Sequence, residues 1–81
     1  MQVKVFALST CPYCRMAREY MDENHVAFEV LEVDKLEGDA RSAAVEEVKR
    51  LSGGTSFPVI VVDDEVVVGF NKVRIKELLK L

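Results

Sequence analysis

Cys11 and Cys14, the two cysteines of the chain, bracket Pro12 and Tyr13. An apolar run over residues 3–8 precedes them, and a stretch with helical periodicity follows. A thiol at the first turn of a helix faces unpaired backbone N–H groups and the positive end of the helix dipole, which favour thiolate over thiol. The thiolate is the species that attacks a disulfide. A second thiol one helical turn on is placed to attack the mixed disulfide that results. The spacing therefore predicts a dithiol–disulfide exchange centre, with Cys11 as nucleophile and Cys14 as resolving thiol. Arg15 adds positive potential nearby, and Tyr13 reads as an exposed part of the contact surface.

Other chemistries of a C-x-x-C pair compete with this reading. A zinc site within one chain needs two further Cys or His ligands, and His25 is the sole histidine. A metal or cluster shared between two chains stays open. So does a structural disulfide, although the loop it would close is short and its entropic contribution correspondingly small. The acidic residues after Asp34 lack the ligand order of a calcium-binding EF-hand loop. No metal is expected.

The 81 residues, 49% of them apolar, suit one domain over residues 1–81 with a single modest core. No segment is long and apolar enough to span a membrane. The N-terminal run lacks the pattern of a signal peptide, which makes the cytoplasm the expected compartment. A net charge of −3 with both signs interspersed argues against nucleic acid as a partner. Nothing in the sequence demands more than a monomer.

The elements that must hold the cysteine pair follow from periodicity. Residues 3–8 read as a first strand, buried on both faces. Thr10 is the predicted N-cap of a first helix and Pro12 suits its first turn. Ala17, Tyr20 and Met21 form its apolar stripe, and Asn24 and His25 end it. Residues 26–33 alternate as a second strand. A polar loop over residues 34–39 leads to a second helix with Asp39 as its cap. The apolar face of that helix is Ala40, Ala44, Val48 and Leu51, and Gly53 stops it. Gly53-Gly54-Thr55-Ser56 is a connection, residues 58–62 a third strand, and Asp63-Asp64-Glu65 a turn. Residues 66–68 return as a fourth strand, antiparallel to the third. Asn71 caps a final helix carrying Ile75, Leu78 and Leu79. The order is β-α-β-α-β-β-α: an α/β fold with a four-stranded mixed sheet flanked by helices.

With Cys11-Pro12-Tyr13-Cys14 after the first strand, Ser56-Phe57-Pro58 opening the third and Gly69 after the fourth, the chain resembles the glutaredoxin family of the thioredoxin fold along its whole length. The resemblance implies a thiol–disulfide oxidoreductase that uses glutathione as reductant or co-substrate and holds no bound cofactor. Its partners would be disulfide-containing or glutathionylated proteins. It also implies a cis bond before Pro58, with Ser56, Phe57, Pro58, Gly69, Phe70 and Asn71 as the substrate- or glutathione-binding residues. A backbone exposed at Phe57 would pair with an extended substrate segment.

Two departures qualify the family pattern. Glutathione-using members commonly carry Lys three residues before the first cysteine, where this chain has Leu8. They often follow Gly-Gly with polar or acidic residues at the last helix, where this chain reads Gly69-Phe70-Asn71-Lys72. These family positions hold the carboxylates and amine of glutathione, so both departures argue against tight glutathione binding. Lys72, Arg74 and Arg15 are the available substitutes for a carboxylate partner. The Gly69-Phe70 pair is similar to that of small redoxins which donate electrons to ribonucleotide reductase and are recycled by thioredoxin reductase. A third possibility within the resemblance is a dimer sharing an iron–sulfur cluster through Cys11 and glutathione, which Pro12 disfavours.

Overall fold

In a computed structural model, residues 2–54 and 56–81 are described; Thr55, assigned above to a connection, lies outside them. The central strand β1 (Val3–Ala7) leads into α1 (Pro12–Glu23), which crosses over to β2 (Glu29–Glu32). A single 3-10 turn, Val33–Lys35, follows, then α2 (Gly38–Ser52), the hairpin β3 (Val59–Val62) and β4 (Glu65–Val68), and α3 (Lys72–Leu79). The spatial order is β2-β1-β3-β4. β1 runs parallel to β2 and antiparallel to β3, and β3 is antiparallel to β4. The parallel pair needs a crossover, which α1 supplies, whereas the antiparallel pair is closed by a tight turn. This is the thioredoxin-like arrangement expected from the sequence.

Strand alternation divides the core between two faces of the sheet. Val3, Val5 and Ala7 of β1, with Ile60 and Val62 of β3, pack beneath α1 (Cys14, Ala17, Met21) and α3 (Ile75, Leu79). Phe6 points the other way and joins Val33, Val59, Ala44 and Val48 under α2. β1 is therefore covered on both faces, as its apolar run, interrupted only by Lys4, predicts. Gly53 ends α2 at φ +75, a left-handed conformation that favours glycine.

Three expectations about element ends are corrected. The second strand is shorter than residues 26–33. Its front end is drawn off the sheet because Val26 N–H donates to the Met21 carbonyl at 2.9 Å. Its back end stops at Glu32, opposite Ala7, where β1 gives way to the turn before α1. Helix α2 starts ahead of Asp39: Glu37 stands at the cap position without a side-chain cap bond, and Asp39 lies in the first turn. A carboxylate there still faces the positive end of the helix dipole. The cap of α1 is Cys11 rather than Thr10.

Candidate active site

The first strand delivers Cys11 through a turn. The Leu8 carbonyl accepts the Cys11 N–H at 3.2 Å, and the Cys11 carbonyl accepts the Arg15 N–H at 3.2 Å, starting the ladder of α1. Cys11 keeps an extended backbone (φ −85, ψ 118), and its Sγ accepts the Cys14 N–H at 3.4 Å. The nucleophile predicted from the sequence is thus also the helix cap. The signal for this was present: Pro favours the first helical position, which makes the residue just before Pro12 the cap. The cap gives the sulfur a hydrogen-bond donor beside the positive end of the helix dipole.

The two thiols differ sharply in environment. Cys11 is half-buried, while Cys14 is 1% exposed within the core under α1. Burial, followed by the hydrogen bond with Cys11, pushes the Cys14 thiol from its ordinary 9.0 up to about 12, against the opposing pull of a Leu8 backbone hydrogen bond. The folded protein therefore holds a proton on Cys14 that the unfolded chain releases above pH 9.0. Stability from this group is intact below that pH and is lost as pH rises toward the folded value, at up to about 1.4 kcal/mol per pH unit. Thermal melts of the reduced protein between about pH 8 and about pH 10.5 test this. Cys14→Ala is expected to flatten the alkaline decline, and an equally steep decline in that variant would refute the assignment.

Around Cys11 lies a cavity of about 310 Å³, bounded by Leu8, Ser9, Arg15, Arg18, Glu19 and Asp22. Tyr13, between the two cysteines in the chain, is 61% exposed. Cys11, Phe57 and Phe70 all pack against the apolar cluster that contains Cys14. The Phe57–Pro58 bond is cis, as the resemblance implied, and Pro58 is buried. The Gly69 N–H donates to the Pro58 carbonyl at 2.7 Å, tying the Pro58 loop to the turn before α3. Gly69 has φ +80, where a side chain is strained although an added Cβ would meet no atom within 4 Å. Phe70 meets Tyr20 of α1 edge-on, with ring centroids 6.2 Å apart.

The remaining candidates do other work. Asn71 directs its side chain to the cap of α3, accepting the Arg74 N–H at 3.2 Å. Arg74 pairs with Glu65 at 3.3 Å and Glu77 at 3.5 Å, bracing the hairpin against α3. The Lys72 ammonium sits 5.2 Å from the centre of the Tyr20 ring. Ser56 is exposed, and so is His25, which adopts φ +58 just after α1. Of the cationic substitutes considered above, Arg15 is the one that borders the cavity beside Cys11. One contact escaped sequence reasoning: the Asp34 carboxylate accepts both the N–H of Ser9, at 2.9 Å, and its hydroxyl. Only the register of the parallel pair brings these residues together.

The family model for glutaredoxin matches residues 3–67. A glutaredoxin-like 8.6 kDa protein in the rubredoxin operon of Clostridium pasteurianum is 33% identical over 78 residues, 96% of this chain and 97% of that protein. Among solved structures, the glutaredoxin of Archaeoglobus fulgidus superposes with a TM-score of 0.93 at 41% identity, covering 99% of this chain and 87% of that one. The methanoredoxin of Methanosarcina acetivorans superposes with a TM-score of 0.92 at 32% identity, covering 99% of this chain and 85% of that one.

Proposed function

This chain belongs to the glutaredoxin family of thiol oxidoreductases, and on that premise we propose that it reduces protein disulfides or glutathione mixed disulfides through the Cys11–Cys14 dithiol. The observation that carries the reading is the asymmetry of the pair: a capped, accessible sulfur at Cys11 and a buried thiol at Cys14. In the first step Cys11 sulfur bonds to one substrate sulfur as the substrate disulfide breaks, releasing one substrate thiolate. Cys14 then loses its proton and attacks Cys11, releasing the second substrate thiol and leaving a Cys11–Cys14 disulfide. Two electrons have passed to the substrate, and a reductant must return them.

The environment of Cys14 suits this order. While Cys11 is free, burial, the hydrogen bond between the thiols and the charge of a Cys11 thiolate all help keep Cys14 protonated. Once Cys11 is joined to substrate, that charge is gone and the sulfur is a poor acceptor. Cys14 then becomes easier to deprotonate at the stage where it must act as nucleophile. Tyr13, exposed beside the pair, and the loop through Ser56, Phe57 and Pro58 form the substrate-contact surface in this reading. Residues 1–81 act as one domain and as a monomer, in the cytoplasm, where a thiol pool can recycle the disulfide.

Glutaredoxins act with glutathione, and glutathione is the proposed reductant here. A second reading has specific support. Leu8 stands where a Lys would meet a glutathione carboxylate, and Asn71 has its side chain committed to capping α3. Together with the Gly69-Phe70 turn, these features favour recycling by thioredoxin reductase and electron donation to a reductase such as ribonucleotide reductase. Recycling of the oxidised protein under NADPH separates the two. Faster turnover with glutathione and glutathione reductase is expected; faster turnover with thioredoxin reductase alone would overturn the first reading in favour of the second.

A further inference from the structure

The turn that presents Cys11 is held from outside its own segment. β1 and β2 pair in parallel with a constant offset, Lys4 opposite Glu29 and Ala7 opposite Glu32. The same offset, carried two residues past the end of both strands, sets Ser9 opposite Asp34. There the ladder is replaced by side-chain bonding: the Asp34 carboxylate accepts the Ser9 N–H at 2.9 Å through one oxygen and the Ser9 hydroxyl through the other. Ser9 is an inner residue of the turn closed by the Cys11 N–H and the Leu8 carbonyl. Fixing Ser9 therefore fixes the start of α1, and with it the approach of the Cys14 N–H to the Cys11 sulfur.

Resting on the reading of Cys11 as nucleophile, we propose that Asp34, through Ser9, is a positioning residue for the thiol pair, holding the Leu8–Cys11 turn so that the helix N–H stays aimed at the Cys11 sulfur. Among the described residues the Asp34 side chain is hydrogen-bonded to Ser9 and to neither thiol; it acts through the backbone of the turn. Its two bonds from Ser9 hold the Asp34 carboxyl below the usual carboxylate range, so the clamp persists through mildly acidic pH. Leu36 N–H donates to the Val33 carbonyl at 3.2 Å, closing the 3-10 turn that carries Asp34, and buried Val33 anchors that turn under α2. The anchor is thus rooted in the core on the face of the sheet away from α1.

The test is the pH dependence of alkylation at Cys11 by iodoacetamide, followed by peptide mapping well below the melting temperature. Asp34→Ala removes both acceptors and is expected to raise the midpoint of alkylation by about half a pH unit, slowing labelling near neutral pH about threefold. Asp34→Asn can accept the Ser9 N–H and donate to its hydroxyl, and is expected to restore the wild-type midpoint. Ser9→Ala keeps the backbone bond and should fall between the two. Combining Ser9→Ala with Asp34→Ala should be no worse than Asp34→Ala alone. A lowered melting temperature with an unchanged midpoint in Asp34→Ala would overturn the inference, reducing the contact to a purely structural one. A lowered midpoint, shared by Asp34→Asn, would overturn it differently, because Asp34 would then act on the sulfur by charge. Labelling of wild-type protein at Cys14 would instead overturn the nucleophile assignment, and this inference with it.

Discussion

Cys11→Ser is expected to abolish reduction of both protein disulfides and glutathione mixed disulfides, a loss of about a thousandfold or more. The hydroxyl that replaces the thiol is far less acidic and does not exchange with disulfides, so no mixed disulfide forms and Cys14 has nothing to resolve. Cys14 cannot substitute for Cys11, since it is buried and its proton is held to about 12. Cys14→Ser divides the reaction differently. The first step survives, so the variant should accumulate a mixed disulfide with a protein substrate, seen by mass spectrometry as a one-to-one adduct at Cys11. Reactions that free glutathione can complete should persist in Cys14→Ser and vanish in Cys11→Ser. Equal loss in both variants with every substrate would require the dithiol for the first step too, and the assigned roles would fall.

The fold was legible where local signals and tertiary packing agree. The largely apolar run of β1, the β-branched hairpin, Gly53 after α2 and Asn71 before α3 each carry their meaning in the residues themselves. Strand ends were less legible, because they depend on partners. Residues 26–28 alternate like a strand, yet the bond from Val26 to Met21 ties them to the end of α1, ahead of the first pair of the parallel ladder, Lys4 with Glu29. Val33 follows Leu31 at strand spacing, yet β1 ends at Ala7 and the chain turns under α2.

The site follows the same division. The cysteine pair and its order of action were read from spacing, since a helix start and a one-turn separation are local properties. The burial of Cys14 was not read, although its helical spacing from Ala17 and Met21 places it on the same face of α1. The fate of Arg74 was not visible, because it is settled by a neighbour in the folded chain, Glu65 on β4. The bond between Ser9 and Asp34 was invisible for the strongest reason. Serine and aspartate in two loops carry no signal of contact until the strand register is known.

Phe6→Ala is expected to produce the largest loss of stability while leaving the thiol chemistry intact. Phe6 is 1% exposed and fills the cluster under α2, between β2 and β3, where it stands opposite Leu31 and Val59. Truncating a buried Phe costs about 3–5 kcal/mol, from lost transfer free energy and the cavity left behind. A domain of 81 residues has about 4–12 kcal/mol in total, so this one change removes a large share of it. The melting temperature should fall by at least about 15 °C, with Phe6→Leu losing much less. A fall under about 5 °C would mean that the cluster under α2 collapses around the gap and that the α1 face carries most of the stability. Cys14, Ala17 and Met21 lie in the other cluster, across the sheet from Phe6. The side chain of Phe6 touches the α2 layer, whereas the turn to Cys11 is set by the backbone of β1 and its hydrogen bonds. At low temperature, where the variant is folded, alkylation of Cys11 should therefore stay within about twofold of wild type, with Leu8 and Phe57, which pack on the Phe6 cluster, as the side chains through which any coupling would pass. A larger drop in reactivity than in folded fraction would mean that the two faces are coupled through β1, and that packing under α2 reaches the nucleophile.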